Sequence, residues 1–108
     1  MKITYFGHSA FRIETGSSVI LVDPFLTGNP HCKGDVAEAK KGVTHIAISH
    51  GHSDHVGDAI AIAKETGCKV VANCETYTWL GQKGVETAEF AGTGGTVTFD
   101  DFSVTLTQ

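Results

Sequence analysis

Residues 49–58, SHGHSDHVGD, concentrate side chains that can bind metal ions: three of the chain's six histidines and two of its six aspartates. His50 and His52 come directly after THIAIS, an apolar run typical of a buried strand. In an extended strand, residues i and i+2 point to the same side, with Cα atoms roughly 6.5–7 Å apart. Two imidazoles at that spacing can bind one divalent ion at about 2.0–2.1 Å each. The segment therefore predicts a metal site at the end of this strand.

Asp54 and His55 follow at a turn into a helix, where they can aim at a point close to the first ion. Gly51 leaves room for a close backbone approach, and Gly57 eases the turn. Chemistry in α/β proteins is commonly placed at the carboxyl ends of strands. The alternative is a solvated loop in which Ser53 and Asp54 only cap the helix. The H-x-H-x-D-H order between a strand and a helix favours the metal site.

Composition excludes several classes of protein. A length of 108 residues suits one domain, and 41% apolar with 19% charged residues is typical of a folded globular chain rather than a disordered one. A net charge of -4 provides no basic surface for nucleic acid or anionic lipid. No apolar run is long enough to span a membrane, and no secretory signal is visible. We therefore expect a cytoplasmic protein without nucleic-acid or membrane partners.

The three cysteines do not suggest a disulfide framework, because their number is odd and no C-x-x-C spacing occurs. Cys68 and Cys74 flank a strand-like segment, so both are expected to pack as small buried groups. Cys32 shares a loop with His31, which leaves a soft metal ligand as an alternative there.

The elements that must position these side chains can be predicted from residue patterns. Three short strands, rich in β-branched and aromatic residues and separated by glycines, open the chain, and Asp23-Pro24 ends the third. Strands then alternate with helices, which predicts a mixed α/β layer structure. The predicted strands are 2–6, 11–15, 19–23, 44–49, 69–72, 96–99 and 102–108, and the predicted helices are 36–41, 59–66 and 74–84.

The residues HGHSDH at positions 50–55 resemble the signature of the metallo-β-lactamase superfamily of metal-dependent hydrolases. The segments KITYFGHSAFRIETGSSVILVDPFL and THIAISHGHSDHVGDAIAIAKETGCKVVAN resemble the compact bacterial and archaeal branch related to the ascorbate-6-phosphate lactonases. The six-residue motif is highly specific, and the resemblance covers all 108 residues.

The resemblance implies a site with two divalent metal ions. His50 and His52 would bind the first ion, and Asp54 and His55 would bind the second. Asp54 would also orient or deprotonate the attacking water, which makes it the catalytic residue. Zinc is the expected ion, although imidazole and carboxylate ligands suit manganese and iron as well.

Two further residues match the family pattern outside the motif. Asp23 resembles the early aspartate that supports the metal-binding loop from behind, and metal-ligating histidines usually donate their other N–H to such a group. The alternative for Asp23 is an ordinary turn residue before proline. His8, in FGHSAF, would lie near the mouth of the site on the substrate side, and the alternative is a structural histidine at a strand end.

The remaining histidines and the aromatic residues of the last predicted helix receive structural interpretations. His45 is expected to be half-buried against a neighbouring strand, and His31 to be solvated. Tyr77 and Trp79 are expected to belong to the core rather than to a substrate site.

The resemblance also implies that residues 1–108 form the N-terminal half of an αβ/βα sandwich, with a mixed, mostly antiparallel sheet and helices on one face. The complete family domain is about twice this length, and its second half supplies the remaining metal ligands. We therefore expect a partner, the C-terminal half as a linked or separate chain, and an oligomer; the alternative is a natural half-domain that dimerises.

The predicted activity is hydrolysis of an ester, lactone or phosphoester of a small molecule by a dinuclear metal site. Two alternatives are a non-catalytic metal-binding scaffold that becomes active only with a second chain, and redox chemistry at the same ligands.

Overall fold

The computed structural model describes residues 1–32 and 36–108. The sequence also predicts a loop from Phe25 to about Asp35, of which residues 33–35 lie outside the described residues. The described strands are β1 (Lys2–Gly7), β2 (Ala10–Thr15), β3 (Ser18–Val22), β4 (His45–Ala47), β5 (Lys69–Ala72), β6 (Ala88–Phe90), β7 (Thr96–Thr98) and β8 (Ser103–Thr105). The described helices are α1 (Val36–Ala39), α2 (Ser53–Val56), α3 (Ala59–Thr66) and α4 (Cys74–Gln82).

Six strands form one mixed sheet in the order β1-β2-β3-β4-β5-β6, and β7 pairs with β8 in a separate antiparallel hairpin. The predicted mixed α/β sheet is confirmed. The expectation of a mostly antiparallel sheet is wrong, because only the two pairs β1·β2 and β2·β3 are antiparallel, whereas β3·β4, β4·β5 and β5·β6 are parallel. The third parallel pair depends on β6, a three-residue strand that the sequence pattern did not predict.

The helices pack on one face of this sheet, as expected. The strand order advances in one direction from β3 to β6, and right-handed crossovers of that kind place their helices on the same side. Leu21, Ile46 and Val70 lie side by side in register on this face and are completely buried. They form the core together with Ile62 of α3 and Leu80 of α4.

The opposite face of the sheet is apolar but only partly covered. Ile3 and Tyr5 of β1 are each 60% exposed, and they pair in register with Ile13 and Phe11 of β2. The β7–β8 hairpin lies against this face at the far side of the sheet from β1, where it contacts His45 and Lys69.

His45 is half-buried between two aromatic rings of that hairpin, which confirms the structural interpretation. Its ring centroid lies 4.4 Å from that of Phe99 and 4.7 Å from that of Phe102. Burial, followed by the nearby Lys69 ammonium, lowers the pKa of His45 below its ordinary value of 6.5. His45 therefore favours the neutral form in the folded protein.

Local capping chemistry explains the helix ends. Gly67 ends α3 with φ 72, the left-handed conformation that glycine adopts at helix ends, and Asn73 caps α4 by accepting from the Thr76 N–H. Cys68 is buried as expected, but Cys74, in the first turn of α4, is exposed. Among the described residues, no helix has both the length and the apolar character needed to cross a bilayer.

Candidate metal centre

Three strands bring the predicted site residues to one edge of the sheet. Strands β3, β4 and β5 are parallel, and β1 runs in the same direction because it is two antiparallel steps from β3. The carboxyl ends of β1, β3 and β4 are followed by His8, Asp23 and His50, respectively. Residues separated by up to 42 positions therefore meet at a single edge, where α/β folds commonly place ligands.

His50 and His52 face one another with the geometry of two ligands to one ion. The distance from His50 Nε2 to His52 Nδ1 is 3.1 Å. Two nitrogens that are each about 2.0–2.1 Å from a common ion lie about 3.1 Å apart when the angle at the ion is about 100°, which is close to tetrahedral. The pair expected from the i, i+2 spacing therefore fits a divalent ion.

Asp23 is buried behind this edge of the sheet and holds Ser49 and His55 in place through hydrogen bonds. Its side chain is only 4% exposed and accepts three hydrogen bonds: from the Ser49 N–H at 2.7 Å, from the Ser49 hydroxyl at 2.6 Å and from His55 Nδ1 at 2.9 Å. Asp23 also adopts φ 43, a left-handed backbone conformation that is uncommon outside glycine. An ordinary turn residue before proline would need neither the burial nor three donors.

The hydrogen bonds of Asp23 determine which histidine nitrogens can bind metal. Because the Ser49 hydroxyl donates to Asp23, its oxygen accepts from His50 Nδ1 at 2.9 Å. The proton on Nδ1 leaves the lone pair on His50 Nε2, the atom that faces His52. His55 likewise donates from Nδ1 to Asp23 and keeps a lone pair on Nε2. One buried carboxylate thus sets the tautomers of two predicted ligands, one at each predicted metal position.

Asp54, His55 and His8 form a second group of donors. One ligand atom from each of these residues lies within 4.8 Å of the others. The distance from His8 Nε2 to Asp54 Oδ2 is 3.2 Å, and that from His55 Nε2 to Asp54 Oδ1 is 3.9 Å. The Asp54 side chain is 48% exposed and faces solvent. Helix α2 starts after His52 without a side-chain cap, so Asp54 does not act as the helix cap that the alternative interpretation required.

Three residues that sequence reasoning missed hold the loops around these donors. Ser49 is the link between Asp23 and His50. Asp58 accepts from the backbone N–H groups of Leu26 and Thr27, at 3.3 and 2.8 Å. Asn29 is buried and donates to the carbonyls of Gly7 and Phe25. Their sequence signals were weak, because serine, aspartate and asparagine are ordinary loop residues.

A groove of about 390 Å³ opens beside the first donor pair and is lined by His50, His52, Asn73, Glu75 and Trp79, among others. Trp79 is 37% exposed, so the expectation that it belongs to the core is wrong: it forms a wall of this groove. A larger hollow, about 540 Å³, opens at the opposite end of the sheet around His45. The groove lies next to the donor cluster, so it is the more relevant space for a substrate.

In the part of the chain that the structure describes, Cys32 and His31 do not belong to a larger group of potential ligands. Within residues 1–32 and 36–108, the only group of three or more histidine, cysteine or acidic side chains placed closely enough to hold an ion is His8, Asp54 and His55. His31 is exposed, as expected.

Comparison with known proteins agrees with this geometry. A family model described as the metallo-beta-lactamase superfamily matches residues 3–106. The chain belongs to the metallo-β-lactamase superfamily. A UPF0173 metal-dependent hydrolase of Brucella anthropi is 60% identical over 107 residues, which are 98% of this chain and 46% of that protein. A UPF0173 metal-dependent hydrolase of Rhizobium etli is 57% identical over 109 residues, which cover 100% of this chain and 47% of that protein.

Solved structures of the metallo-β-lactamase superfamily share the fold. Igni18, a metallo hydrolase from the archaeon Ignicoccus hospitalis, matches with a TM-score of 0.78 at 38% identity, over 89% of this chain and 41% of that one. The metallo-beta-lactamase SMB-1 matches with a TM-score of 0.65 at 20% identity, over 87% of this chain and 44% of that one. At this identity the match shows only that the two chains share a fold. This chain spans about half the length of the curated relatives it matches and corresponds to their N-terminal half.

Proposed function

We propose that this protein is a hydrolase that uses two divalent metal ions to activate water against an ester, lactone or phosphoester of a small molecule. The observation that carries the proposal is the 3.1 Å separation of His50 Nε2 and His52 Nδ1, with the half-exposed Asp54 carboxylate in the adjacent donor group. Ions at such a site supply a Lewis acid that activates water and polarises a carbonyl or phosphoryl oxygen. The names of the curated relatives, metal-dependent hydrolases, support the same reaction class.

Each residue of this chain has a distinct part in the proposed reaction. His50 and His52 hold the first ion, and Asp54 and His55 hold the second. Asp54 orients the attacking water and accepts its proton, a role that its solvent-facing carboxylate suits. Asp23 keeps His50 and His55 in the tautomers that bind metal. The substrate enters along the groove walled by Trp79.

Zinc is the proposed metal, because two imidazoles with an adjacent carboxylate and open positions for water are typical of catalytic zinc. Manganese and iron suit the same donors, so elemental analysis of the purified protein decides the identity. The cytoplasmic location stays a prediction from the sequence.

We also propose that the exposed sheet face is covered by the second half of the fold, as a linked or separate chain. Ile3 and Tyr5, both 60% exposed, lie in register with Ile13 and Phe11, and such an apolar strip is rarely left in water. The relatives, which are about twice as long, have the chain length to supply that cover. The second half would also add metal ligands, since catalytic zinc normally has three protein ligands and His50 and His52 provide only two.

In the protein assembled with its second half, the reaction can be tested with p-nitrophenyl acetate, a simple lactone and bis(p-nitrophenyl) phosphate as substrates. Chelation should abolish turnover, and added Zn²⁺ should restore it. Asp54→Asn should lower kcat by about 10²–10⁴-fold, the range for removing a general base, whereas Asp100→Asn, at an exposed position at the other end of the sheet, should leave kcat unchanged. Full turnover after chelation, or a parental rate for Asp54→Asn with normal metal content, would refute the proposal.

The scaffold alternative can be tested by determining which species is active: the 108-residue chain alone or its assembly with the second half. We expect the 108-residue chain alone to be inactive and to gain activity when the second half is supplied. Native mass spectrometry distinguishes the outcomes: an 11.4 kDa monomer that binds two ions and hydrolyses an ester would refute the need for a second half. Turnover by a preparation whose intact mass shows only this chain would refute the scaffold alternative, whereas metal binding without turnover in the assembled protein would refute the proposed hydrolase.

A further inference from the structure

We propose that His8 is a metal ligand, binding through Nε2 at the second position together with Asp54 and His55. This inference rests on the dinuclear site proposed above. It differs from the substrate-side role that the sequence suggested, and it gives the second position three ligands from this chain rather than two.

The first argument is the position of the imidazole. His8 Nε2 lies 3.2 Å from Asp54 Oδ2, and two atoms each about 2.0–2.2 Å from one ion are separated by about this distance when the angle at the ion is about 100°. His8, Asp54 and His55 are also the group whose ligand atoms lie within 4.8 Å of one another. The His8 ring packs edge-on against His55, with centroids 5.1 Å apart.

The second argument is the backbone that holds His8. Its φ is 55, in the left-handed region that few side chains other than asparagine, aspartate and histidine adopt. The Tyr5 hydroxyl donates to the His8 carbonyl at 2.9 Å, and the Phe25 ring packs edge-on against the imidazole with centroids 5.7 Å apart. Asn29 fixes the preceding Gly7 carbonyl. The surrounding loop therefore specifies where the imidazole points.

A simple ion pair between His8 and Asp54 does not account for this arrangement. The two side chains are 35% and 48% exposed, and solvent screening leaves exposed ion pairs with little net stabilisation. That gain does not exceed the usual cost of an uncommon backbone conformation. A metal ion bound by both residues explains the arrangement, because a neutral imidazole and a carboxylate held at this separation can coordinate the same ion.

The inference predicts an order of metal binding. The second position has three donors from this chain (His8, Asp54 and His55), whereas the first has two (His50 and His52). In the 108-residue chain titrated with Co²⁺, before the second half adds its ligands, the first equivalent should therefore enter the second position.

The test uses His8→Asn, because asparagine tolerates the left-handed backbone but cannot reach the ion. His31→Ala, which removes an exposed imidazole from a neighbouring loop, is the matched control. Co²⁺ affinity is measured by calorimetry, and the ligands are counted from the hyperfine-shifted imidazole N–H signals in the proton NMR spectrum of the Co²⁺ protein. Circular dichroism verifies that both variants are folded.

His8→Asn should weaken one of the two Co²⁺ ions at least tenfold, remove one shifted N–H signal and leave the other ion unchanged, and His31→Ala should match the parent. His8→Gln, which can still donate a hydrogen bond to Asp54, should also lose the signal. Parental affinity and an unchanged signal count in His8→Asn would overturn the inference while leaving the proposed hydrolase intact. Failure of the parent protein to bind Co²⁺ would overturn both.

Discussion

Replacing Asp23 by asparagine should weaken both metal positions at once. The change is nearly isosteric, so the shape of the buried pocket is preserved. The Asp23 carboxylate accepts from the Ser49 N–H, the Ser49 hydroxyl and His55 Nδ1. An amide has one oxygen acceptor and two N–H donors. If the amide oxygen keeps the Ser49 N–H, the NH₂ group must face the other two donors.

The consequence for the histidines follows from their hydrogen bonds. An NH₂ group beside His55 Nδ1 can be satisfied only if Nδ1 accepts, which moves the proton to Nε2 and removes the lone pair for metal. The Ser49 hydroxyl, no longer able to donate to position 23, can turn to donate to His50 Nδ1 and has the same effect on His50. Restoring the metal-binding tautomer leaves a donor unsatisfied, at a cost of about 1–3 kcal/mol. Since about 1.4 kcal/mol is tenfold, each ion should bind roughly 10–100-fold more weakly, which agrees with the usual effect of such supporting residues.

The assay is competition with a fluorescent chelator, which measures both dissociation constants in one titration. Ser49→Ala separates the two positions: it should weaken the first ion, through His50, more than the second, because Asp23 still contacts His55 directly. Asp101→Asn is the matched control. Its carboxylate also accepts three hydrogen bonds, from Ser17 and Ser18, but at the opposite end of β3.

Two results would refute this reasoning. Unchanged dissociation constants in Asp23→Asn would return Asp23 to the role of a turn residue. An equal loss in Asp101→Asn would mean that the effect is general destabilisation, and chemical denaturation of each variant distinguishes that case from a local change in metal affinity.

Two further predictions concern stability. Gly57→Ala should lower the free energy of unfolding by about 1–3 kcal/mol in urea, because φ is 47 and an added Cβ would collide with the Pro24 carbonyl. Gly67→Ala, at φ 72 with open space around it, should cost less, and an equal loss in both would argue against the collision. His45 has a lowered pKa in the folded state, so the unfolded state binds its proton more readily and stability should fall as pH drops below about 6.5. His45→Gln should reduce this slope between pH 7.5 and 5.5, and an unchanged slope would contradict the burial of the ring.

Much of this fold could be predicted because the relevant signals are local. Helix α3 begins and ends where the apolar pattern and Gly67 predict, and strand β5 coincides with KVVA. That His50 and His52 lie together could be predicted from their spacing alone, because residues two positions apart in an extended chain point to the same side. In each case the partner residues are close in sequence, so a pattern of a few residues carries the information.

The remainder depends on contacts between distant residues. Asp23 and Ser49 are 26 positions apart, and Leu26 and Asp58 are 32 apart. Strand β6 has no apolar run of its own. It forms a strand because its backbone pairs with the edge of β5. Trp79 was expected in the core because aromatic residues on helices usually are buried, but the turn after β4 leaves an open groove beside it. Tertiary packing decides such features, and no local propensity encodes them.

The distribution of backbone strain supports the location of the site. Among the described residues, the two non-glycine positions with positive φ are His8 and Asp23. They follow β1 and β3, whose carboxyl ends lie at the same edge of the sheet, and each contacts a residue of the H-x-H-x-D-H segment. Unfavourable conformations persist only where the surroundings enforce them, and they concentrate at functional sites. A common function, the placement of an imidazole and a carboxylate beside a metal ion, therefore explains the strain at both residues better than two unrelated turns do. Replacing either with asparagine, which tolerates the same backbone, should separate the two explanations: the turns would survive and the metal affinity would fall.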